Sequence, residues 1–120
     1  MARIMMKKAH NESISEVFEG FMLSAQSRGL TNKTLASYKT HFHSISKRLD
    51  IEKPISQLTK RDLEEMIAKM REEGLSDTSI NSYTRTLKVF FSWCNEERIT
   101  NINIKLYKAS EREEFLWFAV

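Results

Sequence analysis

A ten-residue pattern occurs twice in this chain and constrains the fold more than any other feature. Residues 29–38 and 74–83 both match G-L-[ST]-x-x-[ST]-[LI]-x-S-Y. In each copy the glycine suits the end of one helix and the hydroxyl residue suits the N-cap of the next. The Leu or Ile and the Tyr that follow turn the new helix toward a core. The repeat therefore predicts two helical hairpins, each with a tight turn.

Two similar helix N-termini in a basic protein indicate phosphate binding, because such termini carry unpaired N–H groups and a partial positive charge. The formal net charge is +3. It is unevenly spread, since Arg3, Lys7 and Lys8 make the first residues basic, whereas residues 12–29 are net acidic. We expect both termini to be aimed outward side by side, so that a polyanionic rod can lie against them.

The composition favours one compact all-helical domain with a short tail. A chain of 120 residues with 41% hydrophobic content can bury a core, while three glycines and one proline leave little turn material for a sandwich or barrel. Cys94 cannot form an internal disulfide and suits the core. No apolar run is long enough for a membrane span or a secretion signal, which predicts a cytoplasmic protein without membrane partners.

Apolar periodicity and capping residues place four helices. The first begins after a Ser13–Glu16 capping box, and Thr59 caps the third. Pro54 interrupts the only long connector, between the second and third helices. The predicted spans are about 14–28, 32–48, 60–73 and 77–97, with a short fifth helix possible after Ser110.

No catalytic or metal site is predicted. His41 and His43 form H-x-H, but positions two apart on a helix do not face each other, so we interpret them as solvated or DNA-facing. Tyr38 and Tyr83 fall on apolar stripes and are better explained as packing residues than as nucleophiles. Trp93, in an apolar run, fits packing better than base stacking. We expect no cofactor.

One face of the fourth helix is polar and poor in acids. It carries Thr78, Asn81, Arg85, Lys88 and Ser92, and no acid occurs between Asp77 and Glu96. An ordinary solvated helix face is one interpretation, although such faces usually mix both charges, as the third helix does. Asn and Arg can bond base edges, while lysine and hydroxyl groups suit phosphates. The second interpretation is therefore a nucleic-acid contact.

The order of these motifs resembles the core-binding domain of tyrosine recombinases, the N-terminal SAM-like domain of phage and transposon integrases. The similar residues are the two repeats, I-S-Q-L-T-K-R-D-L at 55–63 and F-F-S-W at 90–93. The resemblance covers about 12–106 and implies an all-α, four-helix SAM-like orthogonal bundle of two crossed hairpins. A basic N-terminal segment, 1–11, would precede the domain, and a linker or tail, 107–120, would follow it.

The resemblance implies that the domain grips duplex DNA at a crossover site with its second and fourth helices. The implied contact residues are Thr31, Lys33, Thr34, Ser37, Thr40, Ser76, Thr78, Ser79, Asn81, Arg85 and Lys88. Partners would be double-stranded DNA, the catalytic domain of the same recombinase and other protomers on the DNA, in a bacterial, phage or mobile-element setting.

Strand cleavage in that family belongs to a separate C-terminal domain with an Arg, Lys, His-x-x-Arg, His/Trp and Tyr set. The chain contains no H-x-x-R motif. We therefore expect a fragment or truncated product of an integrase that does not cleave DNA by itself. The alternative is a helical protein-interaction module in which the apolar residues 115–120, or the first helix, dock a protein partner instead of DNA.

Overall fold

The computed structural model describes residues 12–97 as four α-helices and one short 3-10 turn. The elements are α1 (Ile14–Ser27), α2 (Asn32–Ser46), the 3-10 turn (Ile55–Gln57), α3 (Lys60–Glu72) and α4 (Asp77–Glu96). Within this range there is no β-strand, only an isolated bridge between Ser13 and Pro54. The all-helical prediction is confirmed, whereas the predicted fifth helix and both terminal segments lie outside the described residues.

Each helix begins where its cap predicts. The Ser13 hydroxyl accepts from the Glu16 amide at 3.1 Å, and the Ser13 amide donates to the Glu16 carboxylate at 3.0 Å, which completes the capping box. Thr59 forms the same arrangement with Asp62. The helices end one or two residues earlier than predicted. In α2 the reason is a tightened last turn, because Lys47 and Arg48 donate to carbonyls three residues back.

The core is built around aromatic rings from α1, α2 and α4. Phe18 and Phe42 stack with centroids 3.8 Å apart, and Phe90 meets Phe18 and Phe21 edge-on at 5.4 and 5.5 Å. α3 adds Leu63, Met66 and Met70, all fully buried. Burying these side chains contributes roughly 1.5–3 kcal/mol each.

The ring contacts also fix the directions of the helices. Phe18 meets Phe42 while Phe21 meets Tyr38, so α1 and α2 are antiparallel. Phe18 meets Phe90 while Phe21 meets Trp93, so α1 and α4 run the same way. It follows that α2 and α4, which form the most extensive helix–helix contact among the described residues, are antiparallel.

The connector between α2 and α3 is bonded to the start of α1. The amides of Ile14 and Ser15 donate to the carbonyls of Lys53 and Ile51 at 3.0 and 2.9 Å. The amide of Ile55 returns a bond to the Glu12 carbonyl at 2.9 Å. These bonds use N–H groups that a free helix terminus would leave unpaired, so the start of α1 is occupied by the chain itself.

An ion pair joins the two hairpins. The Arg48 guanidinium contacts both carboxylate oxygens of Glu73, at 2.9 and 2.6 Å, and also donates to the carbonyl and hydroxyl of Ser44. These bonds to Arg48 hold the pKa of Glu73 below its ordinary value. The bidentate geometry fixes the end of α2 against the end of α3. No helix within residues 12–97 has the length and apolar character needed to cross a bilayer.

Candidate nucleic-acid interface

Both copies of the repeat form the same local structure. Gly29 and Gly74 each have a φ of 83°, a left-handed conformation that glycine adopts without strain. Thr31 and Ser76 then cap the next helix by accepting from the Thr34 and Ser79 amides, both at 3.2 Å. The duplicated turn and cap predicted from the sequence are therefore confirmed.

The expected arrangement of the two N-termini is wrong. Because α2 and α4 are antiparallel, the end of α2 lies near the start of α4, where Arg48 pairs with Glu73 just before the second repeat. The start of α2 lies at the opposite end of the bundle, beside the last turns of α4. At that end Trp93 of α4 bonds to Ser24 of α1. The repeat determines how each helix begins, but hairpin packing turns the two beginnings away from each other.

The structure instead brings together the polar sides of α2 and α4. The His41 Nδ1 atom lies 2.7 Å from the Thr86 hydroxyl, and the His41 ring meets Tyr83 edge-on at 5.4 Å. We call the exposed surface on either side of this contact the α2/α4 face. It comprises Lys33, Ser37 and Thr40 of α2 together with Thr78, Arg85, Lys88 and Ser92 of α4, all exposed.

The remaining predicted contact residues lie at the helix starts or deeper in the fold. Thr31 and Ser76 are exposed caps, while Thr34 and Ser79 are half-buried and their hydroxyls pair with those caps at 3.0 and 3.2 Å. Asn81 is also half-buried. Helix capping and partial burial take up some of their polar groups. A ligand would therefore have access to fewer of these groups than the sequence predicts.

Charge separates sharply between neighbouring helices. α1 contains Glu16 and Glu19 and no basic residue, whereas α2 contains Lys33 and Lys39 and no acidic residue. In α4 the two acids stand at the ends, and the first of them, Asp77, pairs with Arg71 at 3.2 Å. The central α2/α4 face therefore presents cations and hydroxyl groups without carboxylates, as a polyanion requires.

His41 lies between α2 and α4 rather than in solvent. Partial burial, and then the nearby Arg85 guanidinium, lower the pKa of its imidazole. Sequence reasoning missed its partner Thr86, which is buried together with Thr84. The available signal was spacing, because Thr86 follows Tyr83 by three positions and precedes Phe90 by four, on the apolar stripe.

Trp93 and Tyr38, which were considered for base stacking and as a nucleophile, are packing residues in the structure. Trp93 donates its indole N–H to the Ser24 hydroxyl at 3.1 Å and packs edge-on against Phe21, and Tyr38 packs on the same ring. Among residues 12–97, no group of three or more His, Cys, Asp or Glu side chains is arranged to hold a metal ion.

Comparison with known proteins identifies a related family. The family model described as phage integrase, N-terminal SAM-like domain, matches residues 20–103. The matched segment contains both copies of the repeat and the whole of α2, α3 and α4. No curated protein and no solved structure gives a significant match.

Proposed function

Because the chain belongs to the family of phage integrase N-terminal SAM-like domains, we propose that it is the core-binding module of a tyrosine-recombinase-type integrase. In this role it holds duplex DNA at the crossover site during integration or recombination. Strand cleavage belongs to a separate catalytic domain of the same recombinase. That domain and other protomers on the DNA are its protein partners.

The acid-free centre of the α2/α4 face is the observation that carries this proposal. Two adjacent helices present Lys33 and Lys88 for phosphates and Arg85 for a base edge, with hydroxyl groups between them. The major groove of B-DNA is about 12 Å wide and accepts a helix. Arg85 is exposed near the middle of α4, beside the His41–Thr86 contact, so it is our candidate for reading a guanine.

The antiparallel arrangement changes how phosphates are held. Thr31 and Ser76 cap helices that begin at opposite ends of the α2/α4 face, and α2, with 15 residues, spans about 22 Å. The two helix starts would therefore meet phosphates at separate positions along the duplex. The start of α2 suits an anion better, since it carries Lys33, whereas α4 begins with Asp77.

Salt dependence tests whether this face binds a polyanion. Affinity for a short duplex would be measured across a salt series. Each phosphate contact steepens the log–log slope by about 0.9, so Lys88→Ala should make the slope shallower by about one contact. Lys69→Ala on the mixed-charge helix α3 is the matched control and should leave the slope unchanged. An affinity that does not fall with salt would contradict DNA binding.

Arg85→Ala tests the proposed base contact. It should weaken duplex binding by roughly 1–3 kcal/mol and relax sequence preference at one position, because a bidentate guanine contact is lost. The melting temperature should change little, since the side chain is exposed. Equal weakening for every duplex sequence would reassign Arg85 to phosphate, and loss of the fold would make it structural.

A further inference from the structure

A groove of about 720 Å³ runs between α1 and α2, on the edge of α2 away from α4. Its floor includes the stacked rings of Phe18 and Phe42. Met22 and Leu35 line its walls together with polar side chains, among them Glu19 on the α1 wall and Lys39 on the α2 wall. This surface, the α1/α2 groove, takes no part in the proposed DNA contact.

Leu23 on the groove wall is the most exposed large apolar side chain of the described residues, with 67% of its surface accessible. Val89 follows at 39% and lies on α4, outside the groove. An isolated exposed leucine needs no explanation, but beside a groove with an apolar floor it enlarges the apolar surface that a ligand or segment can contact.

We propose that residues 115–120 of this chain dock in the α1/α2 groove. This segment reads Phe-Leu-Trp-Phe-Ala-Val and lies outside the described residues. Five of its six side chains are large and apolar, and they match the apolar floor of the groove. The preceding residues, 111–114, carry three glutamates and one arginine, so they offer partners for both Lys39 on the α2 wall and Glu19 on the α1 wall.

The chain can reach the groove from the end of α4. Trp93 bonds to Ser24, so the last turn of α4 lies beside the part of α1 that bears Leu23. Seventeen residues, 98–114, connect α4 to the proposed segment. An extended chain of that length spans up to about 58 Å, whereas the groove wall formed by α1, with 14 residues, is only about 21 Å long.

Tryptophan fluorescence of the full chain tests this docking, because Trp93 and Trp117 are its only tryptophans. In a Trp93→Phe background, the emission of Trp117 should be blue-shifted and acrylamide should quench it weakly. Adding Leu23→Glu should red-shift the emission and raise the quenching constant several-fold. Val89→Glu is the matched control and should change neither, while far-UV circular dichroism verifies the fold. Subtracting the emission of the Trp117→Phe variant from that of the unsubstituted chain also isolates the emission of Trp117, and it leaves Trp93 in place.

Three results would overturn the proposal. One is solvent-exposed emission from Trp117 in the starting protein. Another is an equal response to Leu23→Glu and Val89→Glu, which would indicate a general loss of packing. The third is Trp117 burial that disappears on dilution, which would mean that a second copy occupies the groove. Duplex affinity is a separate readout, so failure here leaves the DNA proposal standing.

Discussion

His41 shows how one side chain ties the candidate interface to the stability of the fold. Its imidazole bonds to Thr86 at the α2–α4 contact, and burial and Arg85 both lower its pKa from the ordinary value of 6.5. Since the folded protein favours the neutral ring, the unfolded chain takes up the proton more readily. The stability linked to this group is complete above pH 6.5 and is lost as the pH falls toward the folded pKa.

We therefore predict that the free energy of unfolding, measured with urea, declines as the pH falls below about 6.5. His41→Gln should remove this component, whereas His43→Gln, which replaces an exposed residue on the groove edge, should keep it. Asp62 and Glu73, whose pKa values are lowered by hydrogen bonds from Lys53 and Arg48, lose their contribution only at lower pH. A pH profile unaltered by His41→Gln would contradict this role.

An NMR titration of the His41 ring separates the two causes. Arg85→Ala removes the nearby positive charge and should raise the imidazole pKa part of the way toward 6.5, while the burial contribution remains. Binding of duplex DNA should raise the same pKa, because phosphates favour the protonated ring. If the pKa of His41 is the same in Arg85→Ala, the guanidinium lies too far from His41 for the two residues to belong to the proposed surface.

For the helices and turns, the caps, the hairpin turns and the all-helical bundle could be predicted from the sequence, whereas the relative direction of α2 and α4 could not. Ser13, Thr31, Thr59 and Ser76 predict the helix starts because a cap is a short-range interaction between residues three apart. The relative direction of α2 and α4 depends on aromatic contacts across the core, such as Phe21 with Trp93. Such contacts leave no local pattern, which is why the sequence predicts the two N-termini side by side although they lie at opposite ends.

The candidate site shows the same division. The acid-poor stripe around Arg85 follows from helical periodicity and lies on the surface as predicted. The partly buried pairing of His41 with Thr86 joins positions 45 residues apart, so a single sequence does not reveal that these two residues meet. Ser79 and Asn81 are less accessible than predicted because periodicity locates a face of a helix but not its distance from neighbouring helices.

Replacing each of the three glycines with alanine should lower the stability of the protein at Gly29 and Gly74 and raise it at Gly20. Gly29 and Gly74 have a positive φ and open space around them, so Gly29→Ala and Gly74→Ala should each cost about 1–2 kcal/mol of backbone strain. Gly20 lies within α1, where a Cβ would sit 3.6 Å from the Trp93 ring, an ordinary contact. Gly20→Ala should therefore stabilise the protein by about 0.5–1 kcal/mol.

Urea denaturation measures all three variants, and Gly29→Asn supplies a finer comparison. Asparagine tolerates the left-handed conformation better than alanine, so this variant should be less destabilised. If Gly29→Ala and Gly20→Ala changed stability in the same direction, backbone conformation would not be what the repeat's glycines provide.

Taken as a whole, the described molecule has a core that buries its cysteine completely. Cys94 is 0% exposed on α4, and burial raises the pKa of its thiol to about 12. Only the thiolate is an effective nucleophile, so a thiol reagent at neutral pH should not label the folded protein. Labelling should require unfolding, which makes Cys94 a reporter of the stability of the entire bundle.

Leu87→Ala is the matching perturbation, because Leu87 is 1% exposed and packs in the same core. The substitution should cost roughly 2–5 kcal/mol. If the unfolded protein refolds faster than the reagent labels it, the Cys94 labelling rate should then rise by between about 30-fold and several thousand-fold. Saturating duplex DNA should slow labelling, since a ligand of the folded state lowers the unfolded population. A Cys94 labelling rate that changes neither in Leu87→Ala nor on adding DNA would instead indicate a local opening of α4. In that case the α2/α4 face could not act as one rigid surface.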